Sequence, residues 1–195
     1  MNLLVIGPQG AGKGTQAKRI SSEYQLPHIS TGDMFREAVA GRTFLGGQVE
    51  PILARGDLVP DDLTVALIRE RLTAPDAAAG FVLDGFPRNL AQAEALDSML
   101  VSIGRRLDAV LFFDLPDEVA MQRMKYRATV EGRADDTPGA MARRLAVYHE
   151  QTEPVVEYYR STGKLVPLHG DRTIDEVYRE VQQALDQVEE HRRAG

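Results

Sequence analysis

A glycine-rich segment near the start of the chain constrains its fold more than any other feature. Residues 7–15 read GPQGAGKGT; they follow an apolar run at residues 2–6 and open a helical pattern that continues to Tyr24. Glycines let consecutive backbone N–H groups curl around a phosphate, and the N-terminus of a helix adds the positive end of its dipole. The spacing from Gly7 to Lys13 is that of a P-loop, whose lysine carries a mobile positive charge to the phosphates. A strand, this loop and a helix therefore predict a phosphate-binding site in an α/β domain.

One position departs from the general motif. Many P-loops carry Ser or Thr directly after the lysine, where its hydroxyl binds Mg²⁺. This chain has Gly14 at that position, and Thr15 comes one residue later. The sequence leaves open whether Thr15 contacts a metal directly.

Apolar runs of strand length alternate with helical patterns along the rest of the chain. We predict strands at residues 2–6, 27–29, 80–84, 108–114 and 164–168, the last with Pro167 at a sheet edge. We predict helices at residues 13–24, 60–71, 90–99, 117–127, 140–159 and 174–189. Because the strands are almost wholly apolar, this alternation predicts a parallel sheet covered by helices on both faces. Residues 30–59, which hold helices and no strand, and the polar loop at 128–139 are candidates for mobile lobes.

The composition excludes several classes of protein. A length of 195 residues suits one compact domain, and a net charge of −6 disfavours a broad nucleic-acid surface. The chain has no cysteine, and its four histidines lack metal-ligand spacing, so we expect no zinc site. The apolar runs are too short to cross a membrane, and the strand at residues 2–6 leaves no room for a signal peptide. We therefore expect a soluble, cytoplasmic protein that binds neither membrane nor nucleic acid.

A second polar segment follows the predicted strand at residues 80–84. Asp84 ends that strand, and Gly85 and Arg88 come directly after it. In a parallel sheet Asp84 would lie beside the P-loop and hold the water ligands of Mg²⁺, while Arg88 would direct its guanidinium group toward the phosphates. A plain strand-to-helix turn with a surface arginine explains these residues equally well on their own.

Two further segments are ambiguous by themselves. Ser30, followed by Asp33 and Arg36, predicts an N-capped helix with an arginine in its second turn. Later in the chain, five arginines lie close together in sequence: Arg123, Arg127, Arg133, Arg143 and Arg144. Because neighbouring cations repel and few acids intervene, we interpret this cluster as facing an anionic ligand; a solvated charged face is the alternative.

Taken together, these segments resemble adenylate kinase. The motifs that carry the resemblance lie at residues 7–16, 30–36, 84–88 and 131–136, and the likeness extends over essentially the whole chain. It implies a P-loop NTPase-type α/β fold with a parallel five-stranded sheet and helices on both faces. It divides the chain into a core (1–29, 60–126 and 137–195), a helical NMP-binding lobe (30–59) and a short lid (127–136). The implied activity is reversible transfer of the terminal phosphoryl group from MgATP to AMP, giving two ADP, by a monomer that maintains the adenine nucleotide pool.

The resemblance also assigns roles to individual residues. The ATP-binding residues it implies are Gly10, Ala11, Gly12, Lys13, Gly14, Thr15, Arg127 and Arg172. The AMP-binding residues it implies are Thr31, Arg36, Asp57, Leu58, Val59, Gly85, Phe86, Pro87, Arg88, Gln92, Arg133 and Arg144. The catalytic charges would be those of Lys13, Arg88, Arg123, Arg133 and Arg144. Asp84 would hold Mg²⁺ through water, and no zinc is implied because the long lid that carries it in other members is missing.

Three alternatives to this function were weighed. A GTPase would need an Asn-Lys-x-Asp guanine reader, and both asparagines, Asn2 and Asn89, are followed by leucine. A UMP/CMP kinase shares the fold, and Asn89 directly after Arg88 slightly favours that function. Gln92, whose amide matches the hydrogen-bonding edge of adenine, favours AMP as the acceptor. A nucleotide-binding switch without catalysis would bind ATP and leave AMP unchanged.

Overall fold

A computed structural model describes residues 1–132 and 135–194 of the chain. The predictions made for Arg133 therefore lie outside the described residues. The strands are β1 (Asn2–Ile6), β2 (His28–Ser30), β3 (Phe81–Asp84), β4 (Ala109–Asp114) and β5 (Leu165–His169). The helices are α1 (Lys13–Tyr24), α2 (Thr31–Ala40), α3 (Phe44–Arg55), α4 (Asp61–Leu72), α5 (Leu90–Ser102), α6 (Asp117–Glu131), α7 (Pro138–Val147), α8 (Glu153–Ser161) and α9 (Ile174–Ala194), with a 3₁₀ turn at Pro75–Ala77 and a π-helical turn at Tyr148–Thr152.

The five strands form one parallel sheet in the order β2-β3-β1-β4-β5, which confirms the predicted fold class. Alternate residues of β1 point to opposite faces, as the two-residue repeat of a strand requires. Leu3 and Val5 belong to a core formed with α1, α6 and α9, whereas Leu4 and Ile6 belong to a second core formed with α4, α5 and α8. Helices therefore cover both faces of the sheet, and this burial explains why its strands are almost wholly apolar.

The strand order determines which loops meet beside the P-loop. Since β1 lies in the middle of the sheet, the segments after β2 and β3 lie on one side of it and those after β4 and β5 on the other. The chain reverses its direction of growth across the sheet at β1, and open α/β sheets bind ligands at the carboxyl ends of strands at such a point. Val5 pairs in register with Asp84, which therefore lies beside the start of the P-loop as predicted.

Helices α2 and α3 pack around a small core of their own. Phe35, Val49 and Val59 are buried together, and partly buried residues of α4 pack against them. A Cβ atom placed on Gly46 would lie 2.1 Å from the carbonyl oxygen of Ala38, so only glycine permits the two helices to approach this closely. Residues 31–55 thus form a compact helical pair beside the carboxyl edge of the sheet.

The predicted helix boundaries on either side of the segment 128–139 were wrong. Helix α6 continues to Glu131 and ends at Gly132, so residues 128–131 are helical where a loop was predicted. The single helix predicted at residues 140–159 begins earlier, at Pro138, where Thr137 accepts a hydrogen bond from the N–H of Ala140 (3.2 Å).

The same predicted helix is interrupted by the π-helical turn at Tyr148–Thr152. Pro154 explains the interruption, because a proline has no N–H group to donate and its ring collides with the carbonyl of residue i−4. The turn directs the hydroxyl of Thr152 toward the carbonyl oxygen of Arg88, to which it donates (2.8 Å). Strand β5 carries Pro167 at the edge of the sheet, as predicted.

Candidate active site

A cavity of about 590 Å³ lies at the carboxyl edge of the sheet. It joins the P-loop to segments from both sides of β1 and brings together nearly all of the predicted site residues. Those that line it are Gly10, Ala11, Gly12, Lys13, Gly14, Thr15, Thr31, Arg36, Asp57, Leu58, Val59, Asp84, Gly85, Arg88, Gln92, Arg123, Arg127, Arg144 and Arg172.

Two predicted site residues do not line this cavity. Phe86 is buried in the core beneath α5 and α8, and Pro87, which follows it through a cis peptide bond, lines a separate small cavity. Their neighbours Gly85 and Arg88 both reach the main cavity. The Gly-Phe-Pro-Arg segment thus combines a buried anchor with two residues that face the site.

The N-terminus of α1 is prepared for an anion. Gly12, which precedes the helix, has φ +84°, a left-handed conformation that suits glycine, and it offers no side chain to cap the helix. The first turn contains no acidic residue. The first intrahelical bond runs from the N–H of Gln16 to the carbonyl oxygen of Gly12. The N–H groups of Lys13, Gly14 and Thr15 have no partner within the helix, so they can donate to a phosphate at the positive end of the helix dipole.

Lys13 is a partly buried cation held by backbone carbonyls. Its Nζ donates to the carbonyl oxygens of Gly7 and Pro8, both at 2.7 Å. Burial lowers the pKa of Lys13 to about 8, and the nearby guanidinium groups of Arg88 and Arg127 lower it as well, while Asp84 raises it. An anion in the cavity would favour the charged amine and relieve this desolvation.

Arg88 is a second partly buried cation in the same cavity. Its Nε donates to the carbonyl oxygen of Gly85 (2.8 Å). Burial lowers the pKa of Arg88 to about 10, and the charges of Arg144 and Arg36 also lower it, against the opposing effect of Asp84. Within residues 1–132 and 135–194, neither Lys13 nor Arg88 forms an ion pair with a carboxylate. The site thus concentrates positive charge that a polyanionic ligand would neutralise.

Four of the other arginines of the cavity have carboxylate partners, whereas Arg123 contacts backbone carbonyls. Arg127 forms two hydrogen bonds with Asp136 (both 2.9 Å), and Arg144 bonds to Asp136 and to Asp135 (2.6 Å to the latter). The side chain of Asp136 is 0% exposed. The sequence analysis treated this arginine cluster as poor in acids; Asp135 and Asp136 follow Arg133 closely, and their adjacency was the available signal. Arg36 is paired too, with Asp33 (2.6 Å).

On the β4–β5 side, two side chains hold the segment that follows β5. Arg123 donates to the carbonyl oxygen of Gly170 (2.6 Å), and Gln16 donates from Nε2 to the carbonyl oxygen of Ile174 (2.9 Å). Gln16 is 2% exposed. Arg172, predicted to approach the donor nucleotide through its backbone, directs its side chain away to Glu180. Gln16 and Ile174 also line the cavity, and sequence reasoning missed both because their contact spans 158 residues.

On the β2–β3 side, the ends of two strands are tied together. Thr31 donates from Oγ1 to the carbonyl oxygen of Gly85 (2.8 Å), and a Cβ at Gly85 (φ +79°) would lie 2.6 Å from that hydroxyl oxygen. Ser30 caps α2 by accepting from the N–H of Asp33 (3.2 Å), as predicted. Gln92 is 2% exposed, and it contacts the cavity from the first turn of α5.

Asn89, which leaned toward a pyrimidine acceptor in the sequence analysis, has a structural task. Its Oδ1 caps α5 by accepting from the N–H of Gln92 (2.9 Å), and its Nδ2 donates to Asp61 (2.9 Å). Both polar atoms of the side chain thus have structural partners, and Asn89 is not among the residues that line the cavity.

The described part of the chain offers few ligands for a metal ion. No group of three or more His, Cys, Asp or Glu residues there could hold a metal ion. Asp84 stands at the cavity with one neighbour of that kind, His28, whose Nε2 lies 3.4 Å from its carboxylate. Among the described helices, none has the length and apolar character needed to cross a membrane.

Comparison with known proteins gives consistent matches. The model of the family described as "Adenylate kinase" matches residues 5–164. A curated protein of Parvibaculum lavamentivorans named adenylate kinase is 50% identical over 188 residues, which covers 95% of this chain and 92% of the relative. A curated adenylate kinase of Xanthomonas campestris pv. campestris is 47% identical, and the match covers 95% of this chain and 99% of the relative. A curated adenylate kinase of Kosmotoga olearia is 42% identical, and the match covers 96% of this chain and 100% of the relative.

Replacing the carboxylate that joins two of the cavity's arginines should destabilise the fold. We expect Asp136→Asn to cost about 3 kcal/mol of unfolding free energy, because it leaves two largely buried guanidinium groups without their shared charge. For a chain of this size that corresponds to a fall in Tm of roughly 6–12 °C, measured by thermal denaturation.

The matched control is Asp57→Asn, which removes a carboxylate from two exposed arginines, Arg55 and Arg143. Exposed ion pairs contribute little, so this variant should unfold close to the wild type. Equal Tm values for the two variants would contradict the account of Asp136.

Proposed function

Since the chain belongs to the adenylate kinase family, we propose that its cavity holds the donor and acceptor nucleotides together around Lys13 and Arg88. The chain is a phosphotransferase that transfers the terminal phosphoryl group of ATP to AMP and gives two ADP. One observation carries the proposal: Lys13 and Arg88, two partly buried cations for which the described chain offers no carboxylate partner, line the same cavity.

Positioning and charge are the means of catalysis in this proposal. Transfer is direct and in line, with no covalent enzyme intermediate, and charge develops on the oxygens of the migrating group. The catalytic residues are Lys13, Arg88, Arg123, Arg144 and Arg133, the last on the strength of the motif at residues 131–136 alone. Fixed positive groups in a water-poor cavity stabilise such a transition state without reorganising during the reaction.

ATP occupies the β4–β5 side. Its phosphates accept hydrogen bonds from the loop Gly10–Thr15, and the positive charge of Lys13 attracts them. Its base lies against Arg127 and against the backbone near Arg172. Arg123 and Gln16 hold that backbone segment in place. The free N–H groups at the start of α1 support this assignment.

AMP occupies the β2–β3 side. The described residues assigned to it share the cavity wall or support it: Thr31, Arg36, Asp57, Leu58, Val59, Gly85, Phe86, Pro87, Arg88, Gln92 and Arg144. Arg133 is assigned to AMP by the resemblance alone. Arg36 and Arg88 supply charge for its phosphate, and the amide of Gln92 contacts its base. The phosphate groups of the two nucleotides would then meet between Lys13 and Arg88.

Mg²⁺ fits this donor set, and zinc does not. Mg²⁺ retains most of its waters and needs one or two carboxylates beside the phosphates, which Asp84 can supply at the end of β3. Bound there with ATP, it would neutralise phosphate charge. We assign Asp84 to its water ligands and leave the loop hydroxyl of Thr15 unassigned. A structural zinc site needs four ligands of the cysteine and histidine kind.

The two segments beside the core close over the substrates. We propose that residues 30–59 move as an NMP-binding lobe and residues 127–136 as a short lid, against a core of residues 1–29, 60–126 and 137–195. The separate apolar core of Phe35, Val49 and Val59 supports the first of these. Closure would exclude water, which competes with AMP for the phosphoryl group.

We further propose that the chain acts as a monomer in the cytoplasm, without nucleic-acid or membrane partners. Among the described residues, the three most exposed large apolar side chains, Phe44, Val101 and Tyr126, lie on three different helices, which supports a monomer. The net charge of −6 supports the absence of a nucleic-acid partner.

The acceptor preference tests the function. A coupled assay with AMP, UMP and CMP should show AMP ahead of UMP by at least about tenfold in kcat/KM, because the carbonyl of uracil would leave the Gln92 amide mispaired. Equal use of UMP or CMP would identify a pyrimidine nucleotide kinase instead. ATP binding without turnover of any acceptor would identify a nucleotide-binding switch.

The pKa of Lys13 predicts a pH dependence. With a pKa of about 8 in the free protein, the amine is charged below that pH and neutral above it. We therefore expect kcat/KM for ATP to fall as the pH rises through about 8, since this parameter reports groups of the free enzyme. The fall in kcat should come at higher pH, because bound phosphate favours the charged amine.

Lys13→Met is the control for that assignment. It should lose the alkaline fall in kcat/KM, and its kcat should drop by about a hundredfold while ATP still binds, because one contact to the migrating charge is lost. A wild-type profile that stays flat to pH 10 would contradict the role of Lys13, as would near-normal turnover by the variant.

Metal removal separates magnesium from zinc. EDTA should abolish turnover, and added Mg²⁺ should restore it, since Mg²⁺ accompanies ATP in this reaction class. A zinc-selective chelator should change neither turnover nor thermal unfolding. Purified protein that contains stoichiometric zinc and unfolds on chelation would contradict the metal assignment.

A further inference from the structure

The side-chain amide of Gln92 is held at both of its ends. Its Oε1 accepts a hydrogen bond from the backbone N–H of Arg88 (2.8 Å), and its Nε2 donates to Oδ1 of Asp61 (2.8 Å). The side chain is almost fully buried and borders the cavity. Both bonds tie it to groups whose hydrogen-bonding roles cannot change: a backbone N–H only donates, and a carboxylate only accepts.

These two partners select one orientation of the amide. Rotation by 180° would place the Gln92 amino group against the N–H of Arg88 and its oxygen against the carboxylate of Asp61. Both contacts would then be mispaired in a buried place. The oxygen and nitrogen of Gln92 are therefore not interchangeable, and each retains capacity for one more hydrogen bond toward the cavity.

Asp61 is the member of this arrangement that has no other part in the site. It is the first residue of α4, and it does not line the cavity. Its Oδ1 also accepts from Nδ2 of Asn89 (2.9 Å), the residue that caps α5. Asp61 therefore acts on a ligand only through Gln92.

We propose that Asp61 is a positioning residue that locks the Gln92 amide and thereby makes the acceptor site select a 6-aminopurine over a 6-oxopurine nucleotide. The inference rests on the proposed function, in which Gln92 contacts the acceptor base. Adenine presents a donor at its 6-amino group and an acceptor at N1. Hypoxanthine, of nearly the same size, presents an acceptor at the 6-oxo group and a donor at N1.

The lock matters because a glutamine amide that can rotate matches either base. One orientation offers its oxygen to the 6-amino group and its N–H to N1, and the rotated one fits the 6-oxo group and N1–H of hypoxanthine. Shape cannot separate two bases of the same size, so discrimination depends on the cost of rotating the amide. Asp61 and the Arg88 N–H set that cost.

Asp61→Asn is the decisive variant, and it preserves size. A carboxamide at this position can donate as well as accept, so it can rotate together with Gln92 and keep their hydrogen bond, at the expense of the bond from Nδ2 of Asn89. Asp61→Ala removes the acceptor altogether. Asp62→Asn is the matched control, because Asp62 is the other acidic residue in the first turn of α4 and shares any effect on the helix dipole.

The experiment measures kcat/KM for AMP and for inosine monophosphate at saturating MgATP, together with KM for ATP. We expect the ratio of kcat/KM for AMP to kcat/KM for inosine monophosphate to fall by about tenfold or more in Asp61→Asn. Part of this fall should come from a higher kcat/KM for inosine monophosphate. The KM for ATP should stay unchanged, and Asp62→Asn should keep the wild-type ratio.

A ratio that is unchanged in Asp61→Asn would overturn the proposal, and so would a ratio that falls only through poorer use of AMP. Gln92→Ala separates this failure from that of the proposed function. If the Gln92 variant also keeps the wild-type ratio, Gln92 does not contact the base and the acceptor assignment itself is wrong. If Gln92→Ala loses the preference for AMP over inosine monophosphate while Asp61→Asn retains it, only the role of Asp61 is refuted.

Discussion

The burial of positive charge at the carboxyl edge of the sheet is the constraint on which the rest of the structure depends. Lys13 and Arg88 are partly removed from water, and within the described chain backbone carbonyls rather than carboxylates hold them. Burial of a cation without a counter-ion is costly, so the fold must supply both rigid support and an anionic ligand. The P-loop and the Gly85 turn supply the support, and the phosphates of ATP and AMP supply the anion.

The strand order explains why one cavity can serve two nucleotides. Placing β1 between β3 and β4 gives the P-loop a neighbouring loop on each side. Carboxylates neutralise the surrounding arginines: Asp33 pairs with Arg36, and Asp136 pairs with Arg127 and Arg144. The excess charge left in the cavity includes that of Lys13, Arg88 and Arg123, which contact backbone carbonyls where the migrating phosphoryl group would pass.

Local features of the sequence were sufficient for most of the fold. The P-loop lies between β1 and α1 as its spacing indicated, and Ser30 caps α2 as its residue type favoured. Contacts between distant segments could not be read from the sequence, because the partner of a polar side chain depends on how helices pack. The bond from Gln16 to Ile174 and the bond from Gln92 to Asp61 are of this kind. The π-helical turn before Pro154 was missed although its local cause is visible in the sequence.

The central claim is that the phosphoryl group passes directly from one nucleotide to the other within this cavity. The most direct test uses ATP made chiral at its γ-phosphorus with oxygen isotopes, and determines the configuration of the phosphoryl group in the ADP formed from AMP. A single in-line displacement inverts that configuration, and the account predicts inversion. Retention would mean two successive displacements through a covalent enzyme intermediate, and it would contradict the account.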